Sequence, residues 1–496
     1  MTTCFAPSQT PLHALFRHAA GRPNAVALIA GDETWSYHRL ANEVACLSAG
    51  LRRAGIGPGD RIMLSVRTSP VYAVFLFAGM MTGAIVVPLK IEFTARELND
   101  FLAWVQPALY IHEPDLQAQV AQLDLAHTRT FDTGDQGPGS WRHLLGYALR
   151  AQAVLPQDID STCLLLATSG TTGRPKLVAY NQRSMAHVVG SLQSWAIGTE
   201  ACVIGSTPVA HVSGTFVLLT AMVHGSREVM IPRFDIDGVL DAVEQHGGTA
   251  LFVAPFICMP LVEAQRKRPR DVSSLQVCGV GGDACRPQIA ETFESTFNVT
   301  LGNTYGLTEC IGSTLFGEHC RTLRGAPGRT RLVDDTGAEV VPGTVGELYL
   351  SGPNLSLGYW TGPGDIISHT REGWFASGDL MVQEANGDYR FIGRCKDQIV
   401  CNTDKISPVE VENQLVLHPA VADAAVVGVA DEEAGQRVVA LVKLKTDVAP
   451  DELQQWLADR LAPFKRPRQI VQVEAITRNA LGKIDRVAAT QVAASA

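Results

Sequence analysis

The sequence predicts an α/β chain built mainly on parallel sheets. It turns β-rich near residue 322 and ends in a small α+β domain after residue 393. Three observations carry this. Over the first three hundred residues, amphipathic stretches alternate with short apolar runs, the pattern of strands joined by crossover helices. From about 322 to 392 glycine turns and short strands dominate, as in VDDTGAEV, GELYLSG and GDYRFIG, which suggests a small barrel. Helix-like and strand-like stretches then return. For 496 residues the length prior is about three compact units.

Taken in order, residues 37–54 read as an amphipathic helix, DRIMLSV (60–66) as a strand, 71–81 as a helix and AIVVPL (84–89) as a strand. The run VYAVFLFAGMMTGAIVVPL (71–89) is about as long as a membrane span. Thr82-Gly83 splits it and Pro88 ends it, so it reads as buried helix, turn and buried strand. CLLLAT (163–168), TALFVAP (249–255) and LQVCGVG (275–281) are buried strands, and RPQIAETF is a helix. Ser407-Pro408-Val409-Glu410 starts another helix: Ser caps, Pro takes the first position, and Glu bonds back to the cap. Strands AAVVGVA (424–430) and VVALVKL (438–444) and helix DELQQWLADRLA (451–462) follow. The domain boundary is placed at Arg394–Asp397.

The formal charge of −9 argues against a nucleic-acid partner, which needs a basic stripe. The one basic cluster, RKRPR (266–270), reads as a solvated helix end or loop rather than a binding patch. Eleven cysteines are scattered without CxxC or zinc-ligand spacing. They read as reduced thiols of a cytoplasmic protein. The N-terminus lacks a basic segment followed by an apolar core, so no signal peptide and no integral membrane span is expected.

The chemistry concentrates in TSGTTGRPK (168–176), directly after an apolar strand. It is not a Walker A loop, which requires GxxxxGK[ST]. Its glycines let backbone N–H groups approach a polyphosphate, its hydroxyls donate, and Lys176 adds charge. CGVGGDA (278–284) holds a weak dinucleotide fingerprint, G-x-G-x-x-A. Neither GxSxG nor HExxH occurs, so there is no nucleophile elbow and no zincin helix.

TSGTTGRPK, TYGLTE (304–309), SGDL (377–380), GRCKDQIV (393–400), KISPVEVE (405–412) and ALGKIDR (480–486) follow one another in this order. Together they resemble the acyl-adenylate-forming superfamily of acyl- and aryl-CoA ligases, nonribosomal peptide adenylation domains and firefly luciferase. The resemblance spans nearly the whole chain and implies a large N-terminal domain, 1–393, made of two α/β sheet subdomains and a β-barrel-like subdomain. It also implies a hinge at 394–397 and a small mobile domain at 398–496. The implied reaction joins a carboxylate to the α-phosphate of ATP, with Mg²⁺, and then passes the acyl group to the thiol of coenzyme A. A free-standing enzyme that loads the phosphopantetheine of a separate carrier protein is the alternative. A non-catalytic nucleotide binder fits poorly with so many retained ionic residues. By the same resemblance Thr168, Ser169, Gly170, Thr171, Thr172, Gly173 and Lys176 hold the β- and γ-phosphates. Thr308 meets the α-phosphate, Glu309 holds Mg²⁺, and Gly282, Asp283, Asn303 and Tyr305 surround adenine. Asp379 and Arg394 bind the ribose, Lys396 is the hinge, and Lys483 bridges the α-phosphate and the substrate carboxylate.

The acid pocket implied by the resemblance comprises His211, Val212, Gly214, Gly281, Thr304, Gly306 and Ile311, with His211 also counted as catalytic. Amino-acid-activating relatives carry an Asp shortly after His211; here TFVLLTAMV (215–223) is apolar, which favours an aryl or aliphatic acid. Thr403 stands where relatives commonly have glycine beside the thiol tunnel, and its branched side chain would narrow it. Leu177 and Thr477 also depart from the common pattern.

Overall fold

The computed structural model describes residues 10–145, 154–168, 175–187, 197–320, 322–401, 404–431, 434–479 and 482–496. Its contacts form two compact units, Met1–Cys320 with Ser351–Phe375, and Arg321–Leu350 with Ala376–Ala496.

The first unit holds two large sheets. One runs in the order 365–367, 358–362, 176–181, 162–168, 85–88, 61–65, 109–112, 129–132. Its inner strands are parallel, whereas 162–168, 176–181 and 358–362 pair antiparallel at one side. The other has the strands 310–317, 301–307, 277–281, 250–253, 202–205, 227–230, 26–30 and 33–36 in that order. One apolar core takes side chains from both sheets and from helices Tyr37–Arg53, Pro70–Thr82 and Val212–His224. The stretch expected to split does so. Helix Pro70–Thr82 begins at the Ser69 cap with Pro in its first turn and stops at left-handed Gly83; the strand Ile85–Pro88 follows. Twelve of its thirteen residues are buried, so an all-round apolar sequence marks a core helix here. No helix among the described residues is long and apolar enough to cross a membrane.

The RKRPR cluster corrects one expectation. It lies at a helix end and the loop after it, as expected, but Arg270 is not solvated. Helix Pro255–Lys267 stops there, and Arg268 Nη2 donates to both Asp241 oxygens at 2.7 Å. The Arg270 side chain is only 1 % exposed; it pairs with Asp241 at 2.9 Å and with Asp237. The cluster stitches the helix end to helix Ile236–His246.

In the second unit, strands 330–333, 345–350, 376–383 and 389–394 form one sheet in that order, the first two and the last two pairing antiparallel. Its ends curl toward each other, with the Thr330 and Tyr389 hydroxyls 3.1 Å apart. A second sheet runs 404–406, 399–401, 435–444, 421–431, and 469–472 pairs parallel with 435–444. Helices Pro408–Val416, Pro450–Ala458 and Arg486–Ser495 cover it. Ser407 caps the first as expected, its Oγ accepting from Glu410 N at 3.3 Å. Glu410 does not bond back. Its carboxylate takes Lys465 Nζ at 2.7 and 2.9 Å, because a full charge outcompetes a backbone amide.

One buried acid has a consequence for stability. Glu228 lies in strand Arg227–Met230 and is 1 % exposed, and its Oε2 has no hydrogen-bond partner among the described residues. Burial pushes its carboxyl up to about 8. The folded chain therefore keeps a proton that the unfolded chain releases near pH 4.5. Folded protein binds more protons between those values, so this residue's contribution to stability falls as pH rises from about 4.5 to 8. Glu228→Gln should remove that slope and raise the melting temperature more at pH 8 than at pH 5. Equal shifts at both pH values would contradict this.

Candidate active site

The phosphate-loop motif joins two antiparallel strands, and Thr168 and Lys176 are the last cross-strand pair before it. Ser169, Gly170, Thr171, Thr172 and Gly173 lie outside the described residues, as does Thr403. The strand carrying Lys176 pairs on its other side with Gly358–Gly362, with Tyr359 opposite Val178 and Trp360 opposite Leu177. Leu177 is fully buried in that register, so its departure from the common pattern serves packing. Alternation then sends the Lys176 side chain outward, where its Nζ rests 4.3 Å from the centre of the Tyr359 ring.

TYGLTE ends the strand Leu301–Leu307 and turns through Thr308 and Glu309 into Cys310–Gly317, with Leu307 opposite Cys310. The register slips between Tyr305 and Leu307, which places Gly306 at a bulge. This turn is braced from outside. The Tyr180 hydroxyl donates to Thr308 O, Ser356 N donates to Glu309 O at 2.8 Å, and the Tyr359 hydroxyl donates to Glu309 Oε1 at 2.9 Å. Tyr359 thus touches both Lys176 and Glu309. No carboxylate among the described residues pairs with Lys176.

The expected adenine residues gather at one sheet end. Strand Val277–Gly281 lies parallel to 301–307, with Val280 opposite Asn303 and Gly281 opposite Thr304. Gly282 turns the chain at φ 85°, and Asp283 is exposed, its Oδ1 accepting from Ala284 N at 2.8 Å. Asn303 Nδ2 donates to Cys320 O at 2.8 Å and Thr304 Oγ1 to Val280 O at 3.2 Å. Of the acid-pocket candidates, His211 caps the helix Val212–His224, its Nδ1 accepting from Ser213 N at 3.2 Å. That helix packs on the strand holding Ile311, which is itself buried. Gly214 faces the backbone of Thr207 and Pro208, where an added Cβ would sit 2.3 Å from Pro208 O. No acid stands in the first turn of that helix, and every residue from Thr215 to Val223 is buried.

Asp379, Arg394, Lys396 and Lys483 belong to the second unit. Asp379 and Arg394 are cross-strand partners; the Asp379 carboxylate is 3 % exposed and accepts from Arg394 Nε at 2.6 Å. Lys396 lies in the 3₁₀ turn Cys395–Asp397. Burial holds its ammonium below the ordinary lysine range; Asp397 and Asp379 oppose that shift, while Arg394 and Lys483 add to it. Lys483 is exposed on a turn closed by Gly482 N to Asn479 O and Asn479 N to Lys483 O, both 2.9 Å. Two arginines anchor the turn: Arg478 bonds Gly482 O and Asp423, and Arg486 bonds Glu412 and Val426 O.

The AMP-binding enzyme model matches residues 15–360, and the AMP-binding enzyme C-terminal domain model matches 410–483. The chain belongs to the AMP-binding enzyme family. It is 31 % identical over 480 residues to a feruloyl-CoA synthase of Amycolatopsis, covering 94 % of this chain and 96 % of that one. It is 30 % identical over 485 residues to an indoleacetate–CoA ligase of Aromatoleum aromaticum, covering 94 % and 95 %. The fold matches the ATP-bound structure of MatB from Rhodopseudomonas palustris with a TM-score of 0.88 at 24 % identity, covering 98 % of this chain and 99 % of that one.

Sequence reasoning missed Tyr180, Ser356 and Tyr359, which contact Thr308 or Glu309, and His369, which packs on Tyr359; none belongs to any of the six motifs. The only local signal is Gly358 before Tyr359. Its φ is 139°, and an added Cβ would meet Ile367 O at 2.3 Å, so the strand bearing Tyr359 approaches its neighbour as only glycine allows. Gly281 is similarly constrained. A Cβ there would sit 2.1 Å from Thr304 Oγ1 and 2.6 Å from Thr304 O. Gly281→Ala should shift the strand 301–307 and weaken ATP binding by about tenfold in calorimetry, the cost of a modest overpacking strain. Unchanged affinity would contradict a coupling of Gly281 to ATP through the strand 301–307.

Proposed function

We propose that the protein is an AMP-forming acid–thiol ligase that activates a carboxylic acid with ATP and transfers the acyl group to coenzyme A. The observation that carries this is that Lys176 and Glu309 both contact Tyr359, a cation that pairs with no carboxylate among the described residues and a carboxylate oriented by the phenol. That donor set fits Mg²⁺-bound polyphosphate. Mg²⁺ commonly takes one or two carboxylates and draws its other ligands from phosphate and water, and no group of three or more metal-ligating side chains occurs among the described residues. When bound, the ion would neutralise charge on the phosphates as the pyrophosphate leaves.

In the first step a carboxylate oxygen of the acid attacks the α-phosphorus of ATP, the P–O bond to pyrophosphate breaks, and an acyl-adenylate forms. The two anions repel, so cations must meet the charge as it develops. Lys176 serves the β- and γ-phosphates and Lys483 the α-phosphate and carboxylate. Thr308 takes the α-phosphate and Asp379, aligned by Arg394, the ribose hydroxyls. In the second step a thiolate attacks the acyl carbon, and AMP leaves. Residues 398–496, turning about Lys396, present Lys483 for the first step and withdraw it for the second, a short-hinge domain movement.

The acid lacks a free α-ammonium, since helix Val212–His224 offers no carboxylate to hold one. Aryl acids are the first class proposed, supported by the two relatives named for feruloyl and indoleacetyl groups. The test is pyrophosphate release with ATP and Mg²⁺ over aryl, aliphatic and amino acids, each with and without coenzyme A. CoA-dependent turnover with an aryl or aliphatic acid is the expected result. A single burst unaffected by coenzyme A would instead indicate a carrier protein as acceptor. Lys483→Ala should slow pyrophosphate release by roughly 10²–10³, the cost of losing one preorganised charge contact. An unaffected rate would exclude Lys483 from the adenylation step.

A further inference from the structure

We propose that Tyr359 is a positioning residue that holds the Lys176 ammonium and the Glu309 carboxylate apart, so that both charges remain available to ATP and its metal ion. This rests on the roles given to Lys176 and Glu309 above. Two opposite charges near one ring attract strongly; at 4 Å and an effective dielectric of 20 the pull is about 4 kcal/mol. Left alone, they would close into an ion pair and cancel. They do not pair: Lys176 and Glu309 make no mutual salt bridge, and each is engaged by a different part of the same phenol. The ring face holds the ammonium at 4.3 Å, and the hydroxyl, at the far end of the side chain, holds Oε1 at 2.9 Å.

The spacer is itself fixed. Its backbone sits in register with Val178, two residues from Lys176. The His369 ring meets it edge-on with centroids 5.4 Å apart, and Ser356 Oγ holds His369 Nε2 at 2.5 Å. Burial pulls the His369 imidazole down to about 4, so at neutral pH it adds no second cation beside Lys176. Lys176 stands in one sheet of the first unit and Glu309 on the turn between two strands of the other, and Tyr359 contacts both.

Tyr359→Phe keeps the ring and loses the bond to Glu309, whereas Tyr359→Leu loses both. ATP binding is measured by calorimetry in EDTA and across Mg²⁺ concentrations, alongside the Mg²⁺ dependence of pyrophosphate release. Tyr359→Phe should bind ATP in EDTA as the wild type does but need about tenfold more Mg²⁺, the usual loss when a carboxylate ligand loses its outer support. Tyr359→Leu should also weaken metal-free ATP binding, by about threefold, as Lys176 loses its aromatic seat. In a Glu309→Gln background, Tyr359→Phe should change the Mg²⁺ requirement no further. The proposal is overturned if Tyr359→Phe leaves the Mg²⁺ requirement unchanged, if it weakens ATP binding equally with and without Mg²⁺, or if its effect persists beside Glu309→Gln. A wild type that binds Mg²⁺ and ATP but releases no pyrophosphate with any acid would overturn the ligase reading alone, and calorimetry would still judge Tyr359. A wild type that binds no ATP would overturn both.

Discussion

The site depends on one strand, Lys176–Asn181, being paired on both sides. Its pairing with Thr162–Thr168 brings the two ends of the phosphate-loop motif together at Thr168 and Lys176. Its pairing with Gly358–Gly362 delivers Tyr359 beside Lys176. Both partners are antiparallel, in a sheet whose inner strands are parallel. A one-residue slip would exchange the strand's two faces, moving Leu177 and Ala179 out of one apolar core and Val178 and Tyr180 out of the other. The apolar residues on both faces therefore fix the register that leaves Lys176 exposed at the start of the strand.

The two units carry different shares of the proposed site residues. The first holds the phosphate-loop ends, the Thr308–Glu309 turn and the acid-pocket candidates, all mounted on sheets that share one apolar core. The second holds Asp379, Arg394, Lys396 and Lys483. Within it, arginines clamp the Lys483 turn to carboxylates on the adjoining sheet and helix. Long cationic side chains are costly to order, so anchoring the turn backbone leaves only the Lys483 side chain to be fixed on binding.

Much of the architecture was legible because periodicity and turn chemistry agree. Helix Pro70–Thr82 is bounded by Ser69, Pro70 and Gly83, each doing what its backbone chemistry favours. The family was legible because the six motifs restrict residue types within a few positions, and both AMP-binding enzyme models match the chain. The misses have another origin. Glu410 left the capping geometry for Lys465, and Arg270 left solvent for Asp237 and Asp241. In both cases a partner distant in sequence supplied a stronger charge. Tyr359 escaped notice for the same reason: its two contacts lie 183 and 50 residues away along the chain, and an aromatic residue in a strand is ordinarily packing.

The central claim is that a carboxylate of the acid attacks the α-phosphorus of ATP. The most direct measurement is oxygen transfer. An accepted acid is labelled with ¹⁸O in its carboxylate, and the products are followed by ³¹P NMR. Attack at the α-phosphorus predicts one ¹⁸O in the phosphate of AMP and none in pyrophosphate. Label in inorganic phosphate, with ADP as the nucleotide product, would mean that the acid attacks the γ-phosphorus and would contradict the account.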